Sequence, residues 1–141
     1  MLVLVVEDEP MIAASIEWEL TDAGHQVLGP AASADEAMAL TESVRPDIAL
    51  VDINLGGRDD GVALARDLKT RLGAPVVFVT GQLTQARQAR DAAIGVLPKP
   101  FSFRALVATI PFAAAVNEGR WPSRTPQGLE LFQTSAAAQA S

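Results

Sequence analysis

The chain contains no cysteine. Disulfides, thiolate metal sites and thiol nucleophiles are therefore all excluded. Bases are scarce as well: eleven Lys and Arg face seventeen Asp and Glu, for a formal charge of −6. That balance argues against nucleic acid or an anionic membrane surface as the main partner. Long apolar runs are missing too, since none approaches the roughly 18 residues a spanning helix needs. No basic leader precedes the first apolar run, so the expectation is a cytoplasmic protein with no membrane partner.

What is present suits a folded chain. Apolar residues make up 49% of the sequence, and 141 residues give room for one domain and one core plus a short appendage. Residues 2–6 are all apolar and largely β-branched, the pattern of a strand covered on both faces. Pro10 suits the first turn of a helix whose stripe is Ile12, Ile16 and Leu20 and whose stop is Gly24. Residues 26–29 give a second strand. Ser33 and Glu36 have capping-box spacing and open a helix with Ala37, Leu40 and Val44 inward, ended by Arg45-Pro46.

A third strand covers 47–52, followed by a loop containing Gly56, Gly57 and Gly61. Val62, Ala65, Leu68 and Leu72 mark a third helix, with Asp59 and Asp60 favoured at its start by the dipole and Gly73 at its end. Residues 75–80 are a fourth strand. Residues 81–94 read as a weak, exposed fourth helix with almost no apolar stripe. In the last strand, 95–99, Pro98 indicates an edge position. Ser102, flanked by Phe101 and Leu106 as a staple, starts a fifth helix that Pro111 should kink or end near Ala115. Five strands alternating with helices specify a doubly wound α/β sandwich with a parallel sheet. Residues 1–116 are expected to form the domain and 117–141 a tail, low in complexity over 136–141, whose Trp121, Leu129, Leu131 and Phe132 could dock on the domain or on another subunit.

Asp52 stands out because it follows four apolar residues at the carboxyl end of its strand. Ligands bind at that end of an open α/β sheet, and a partly desolvated charge there is costly unless something uses it. Glu7 and Asp8 follow strand one, Thr80 closes strand four and Lys99 closes strand five. Parallel strands end on one edge, so these side chains can meet. Acids suit Mg²⁺, while an ammonium and a hydroxyl suit phosphoryl oxygens. Taken singly, Asp52 could be a loop cap, Lys99 a solvated edge residue and Glu7 a solvated acid. Their shared placement favours a site.

These residues resemble the receiver domain of two-component response regulators over about residues 2–115. The resemblance rests on Glu7-Asp8, Asp52, Thr80-Gly81 and Lys99-Pro100-Phe101 in that order. It implies the flavodoxin-like strand order 2-1-3-4-5. It also implies that Asp52 accepts a phosphoryl group from a sensor histidine kinase or phosphotransfer protein. Mg²⁺ would be held by Asp8, Asp52 and the backbone carbonyl of Asn54, with Glu7 acting through water. Thr80 and Lys99 would bind the phosphoryl oxygens, the latter beside a cis Lys-Pro bond. Where the family usually has a switching aromatic, three residues before the lysine, this chain has Val96, and it contains no tyrosine. The stretch from Thr80 to Lys99 is also short by about one helical turn, a likeness to the receiver subclass nicknamed FAT GUY.

Two other classes compete. An aspartate-nucleophile phosphatase of the haloacid dehalogenase type shares the strand-end Asp, Thr and Lys, but needs a second Asp where this chain has Asn54. An interaction domain that keeps the site unused is the other. With about 26 residues after the fifth helix, no attached DNA-binding or catalytic output module is expected. Output is thus expected through a downstream protein, through homodimerisation or as a phosphate sink.

Overall fold

The computed structural model describes residues 1–58 and 60–132. Asp59 and the low-complexity stretch 136–141 lie outside the described residues. In chain order the elements are β1 (Leu2–Val6), α1 (Pro10–Asp22), β2 (Gln26–Ala31), α2 (Ala34–Leu40), β3 (Ile48–Val51) and α3 (Gly61–Leu72). After them come β4 (Val76–Thr80), α4 (Leu83–Gln88), β5 (Gly95–Pro98), α5 (Phe103–Asn117) and β6 (Glu130–Leu131).

The sheet order is β2-β1-β3-β4-β5-β6, parallel from β2 through β5, with β6 antiparallel to β5. The expected five-strand order is present. The sheet is six-stranded, however, because the chain returns after α5 and adds β6 along β5. The edge position inferred for β5 holds only locally: β6 pairs with Gly95 and Val96 and stops short of Pro98, where the missing donor is tolerated.

Alternate strand residues enter opposite layers, and both layers are apolar, which explains the unbroken hydrophobic runs. Leu4, Val6, Ala49, Val51, Val76, Phe78 and Val96 pack with α3 and the alanines of the α4 region. Val3, Val5, Ile48, Leu50, Val77, Val79 and Leu97 pack with Ile16 and Leu20 of α1 and Leu106 and Ile110 of α5. Register carries Val6 beside Val51, Val51 beside Phe78 and Phe78 beside Val96. The strands therefore finish level, and the residues just past this row share one edge.

Local signals account for most boundaries. Ser102 accepts from the Ala105 amide at 3.0 Å and caps α5. Ser33 accepts from the Glu36 amide, and Glu36 reaches back to the Ala32 amide, each at 3.1 Å. That α2 cap is a reciprocal box displaced by one residue. Gly73 closes α3 at φ 64. The helix end assigned to Arg45-Pro46 comes earlier, because the Thr41 hydroxyl donates to the Ala37 and Met38 carbonyls and α2 stops at Leu40. Val44 is consequently exposed rather than inward. In α5 the helix continues through Pro111, an exposed position, to Asn117.

The fourth helical region is buried on one side, against expectation. Ala86, Ala89, Ala92 and Ala93 are all at most 7% exposed. Alanine contributes little to a hydropathy stripe, yet its small size lets this segment lie close against the sheet.

Candidate functional site

Glu7, Asp8 and Asp52 each bring one carboxylate oxygen to within 4.8 Å of the others. At an effective dielectric of about 20, two charges at this distance repel by about 3 kcal/mol, so the cluster requires compensation. Burial sharpens the need: Glu7 is 3% exposed and Asp52 7%.

Lys99 supplies part of it. Its Nζ donates to Asp52 Oδ2 at 2.9 Å and lies 2.7 Å from Glu7 Oε1. That 2.7 Å contact joins Glu7 Oε1 to the ammonium as a second ion pair. Glu7 Oε2 accepts from the Glu9 amide at 3.1 Å. Burial raises the pKa of Glu7, with the Asp52 charge adding to the rise and Lys99 and the Glu9 amide opposing it. Burial alone would lower that of Lys99, but its bonds to Glu7 and Asp52 outweigh the loss and hold it above the usual value. One ammonium facing three carboxylates leaves two formal negative charges.

The loop after β3 completes the wall. Leu55 and Arg58 exchange backbone hydrogen bonds at 2.7 and 3.2 Å around Gly56 and Gly57, both at positive φ (63 and 81). This two-glycine turn aims the Gly56 amide at Asp8 Oδ2, 2.9 Å away, and the Gly57 amide at Asn54 Oδ1, 3.1 Å away. Gly61 serves differently. A Cβ there would overlap the Asp52 carbonyl oxygen and the Ile53 Cα, while its amide donates to the Ile53 carbonyl at 2.9 Å. The start of α3 thus rests directly on the backbone that carries Asp52. Gly61 was legible as a loop glycine, but its contact is long-range and no local spacing signals it.

Thr80 and Lys99 meet through the backbone, where the Lys99 amide donates to the Thr80 carbonyl at 3.0 Å. The Thr80 hydroxyl is fully buried, and its oxygen accepts from the Gln82 amide at 3.0 Å. It therefore anchors the residue that precedes α4. The Lys99–Pro100 peptide is cis. Trp18 is 70% exposed, and His25, half-buried, faces the Met1 ammonium, far in sequence from the acidic edge.

The donor set fits a hard divalent cation. Mg²⁺ takes oxygen ligands and keeps several waters. Here one ammonium is shared by two buried carboxylates, and two formal negative charges of the cluster are left uncompensated.

Residues 3–111 match the family described as the response regulator receiver domain. The chain belongs to that family. Among similar proteins, the transcriptional regulatory protein PdtaR of Mycobacterium tuberculosis is 34% identical over 116 residues, which is 80% of this chain and 56% of PdtaR. The phyllosphere-induced regulator PhyR of Methylorubrum extorquens is 38% identical over 79 residues, 55% of this chain and 30% of PhyR. This receiver domain thus matches about half or less of those relatives' length. Among solved structures, the signal receiver domain of a modulated diguanylate cyclase from Desulfovibrio desulfuricans G20 superposes with a TM-score of 0.75 at 34% identity. It covers 83% of this chain and 95% of that one. A CheY-like receiver domain protein from Methanospirillum hungatei JF-1 gives 0.75 at 29% identity with the same coverage. Among the described residues no helix is long and apolar enough to cross a membrane.

Proposed function

We propose that this receiver domain, residues 1–116 with 117–141 as its tail, accepts a phosphoryl group on Asp52 from a sensor histidine kinase or phosphotransfer protein. It then signals in the cytoplasm through contacts with a downstream protein. The observation that carries this reading is the pairing of a nearly buried strand-end carboxylate with an ammonium at 2.9 Å, inside a three-carboxylate cluster that the ammonium only partly neutralises.

In the transfer, an Asp52 carboxylate oxygen attacks the phosphorus of the phosphohistidine in line. The P–N bond breaks, its electron pair stays with the imidazole, and an acyl phosphate forms. Asp8, Asp52 and the backbone carbonyl of Asn54 would hold Mg²⁺, with Glu7 through water, and the ion supplies charge neutralisation to the phosphoryl oxygens. Lys99 is already bonded to Asp52 and stays within reach of the incoming group. The Thr80 hydroxyl is fully buried in this conformation, so it would have to swing toward the phosphoryl oxygen to donate to it, loosening the bond it accepts from Gln82. Asn54 stands where a turnover phosphatase needs an acid, and its amide oxygen accepts from Gly57. A carboxamide cannot deliver the proton, which favours a receiver over a phosphatase.

Incubation with a small phosphodonor such as acetyl phosphate and Mg²⁺ tests the reading by intact mass. The expected result is one phosphoryl group on the wild type and none on Asp52→Asn. Equal labelling of both, or none on the wild type with any kinase or phosphodonor, removes it.

A further inference from the structure

Every carboxylate of the acidic cluster is tied to a protein donor through at least one oxygen. Glu7 has both engaged, Oε1 by the Lys99 ammonium at 2.7 Å and Oε2 by the Glu9 amide at 3.1 Å. Asp52 gives Oδ2 to Lys99 at 2.9 Å, and Asp8 gives Oδ2 to the Gly56 amide at 2.9 Å. Among the described residues no donor reaches Oδ1 of Asp8 or Oδ1 of Asp52. Three acids thus keep two untied oxygens, one in the loop after β1 and one at the end of β3.

The ties differ in how far they can yield. Lys99 reaches the cluster on a flexible stem. The Gly56 amide belongs instead to a turn closed by the two backbone bonds between Leu55 and Arg58 and by the Gly57 amide on Asn54 Oδ1. Its direction follows from φ 63 at Gly56, a backbone angle that suits glycine. The acceptor is charged, which places the bond among the stronger ones. It also joins the loop that carries the Asn54 carbonyl to the loop that carries Asp8. Ion size decides what this does. Ca²⁺ takes roughly six to eight oxygens and grips carboxylates by one oxygen or by both, whereas Mg²⁺ keeps a tight octahedron with few carboxylates and several waters. An acid whose second oxygen is held by a rigid turn offers one oxygen, which suits the smaller ion.

We propose that the Gly56 amide is a specificity-determining positioning group. By holding Asp8 Oδ2 it limits Asp8 to a single oxygen for an ion and biases the site toward Mg²⁺ over Ca²⁺. The inference rests on the reading of Glu7, Asp8 and Asp52 as a divalent-metal site. Gly57 shapes the same turn but donates to a carboxamide and not to a carboxylate, so it serves as the internal control.

The test replaces one backbone amide by an ester in the chemically synthesised full chain, which deletes a single N–H and keeps every side chain. Calorimetric titration with Mg²⁺ and with Ca²⁺ gives the ratio of the two affinities. With the ester at the Leu55–Gly56 bond, the preference for Mg²⁺ should fall at least about fivefold, within what a hydrogen bond to a charged group supplies. With the ester at the Gly56–Gly57 bond, the turn loosens but the wild-type ratio should be kept. A merely structural role for Gly56 would weaken both ions alike. Mg²⁺ binding to the wild type with an unchanged ratio in the first ester, or the same change in both esters, overturns the proposal alone. A wild type that binds neither ion overturns the metal reading and this inference with it. Should the first ester fail to fold, the wild type decides by hydrogen exchange: the Gly56 amide should stay protected when Mg²⁺ saturates the site, and loss of that protection overturns the proposal.

Discussion

Lys99 donates to Asp52 at 2.9 Å across 47 residues of sequence, joining the ends of β5 and β3 over the intervening β4. The bond closes a cluster that would otherwise hold like charges with no fixed counterion. Replacing Lys99 by Met leaves Glu7 and Asp52 buried and uncompensated. Stability without divalent ions is expected to fall by about 2–4 kcal/mol, and Mg²⁺ should restore part of it. Urea unfolding with and without EDTA checks this, and an unchanged midpoint would show that the ammonium is dispensable.

Glu7 should make metal binding sensitive to mild acid. Its pKa is raised by burial, so above the unfolded value of about 4.3 the folded chain holds a proton that the unfolded chain has released. Stability from this group therefore rises as pH falls through its folded pKa. Mg²⁺ competes with that proton, so the Mg²⁺-induced rise in Tm should be smaller at pH 5.5 than at pH 7.5. In Glu7→Gln the dependence should flatten. A Tm shift independent of pH in the wild type would exclude Glu7 from the linkage.

Gly61 has no space for a side chain against the Asp52 carbonyl. Gly61→Ala should destabilise the fold by about 1–3 kcal/mol through this overlap. It should also weaken Mg²⁺ binding, because the displaced backbone carries Asp52. Gly24→Ala, at an open position with positive φ, should cost stability without touching the metal. Calorimetric titration separates the two, and equal Mg²⁺ affinity in both variants would contradict the coupling.

The tail should loosen in acid by an opposite linkage. The hydrogen bonds from Arg87 hold the Glu130 carboxyl below its usual value. Its contribution is present above the unfolded pKa and disappears as pH falls through the folded one. Protection of the Phe132 amide, corrected for intrinsic rate, should exceed that of Glu130→Gln at pH 6. The difference should vanish in acid and shrink in high salt, because the pair is exposed. No difference at pH 6 would assign the docking to Leu129 and Phe132 alone, and a difference that persisted in acid and in high salt would show that it does not come from the ion pair.

Where the sequence was informative, one physical cause recurs. Strands covered on both faces must be apolar throughout, so β1, β3 and β4 show as unbroken runs and any charge closing them is conspicuous. Glu7, Asp8, Asp52 and Lys99 were legible for that reason, and Thr80 by its place at the end of β4. The missed features lack such contrast. The alanine lane at 86, 89, 92 and 93 has shape without hydropathy. β6 is two residues long and follows prolines and glycines that erase any period. The stop of α2 depends on the Thr41 hydroxyl, which also accepts from Arg71, 30 residues away. Gly61 and Gly95 are dictated by distant backbone, which no window along the chain contains.

Val96 lies at 0% exposure between Phe78 and the alanine-lined α4 segment. A branched side chain with one torsion has no remote end to swing from inside to outside. A signal crossing this position must travel as displacement of the main chain, and the neighbour on the other side of that main chain is Glu130.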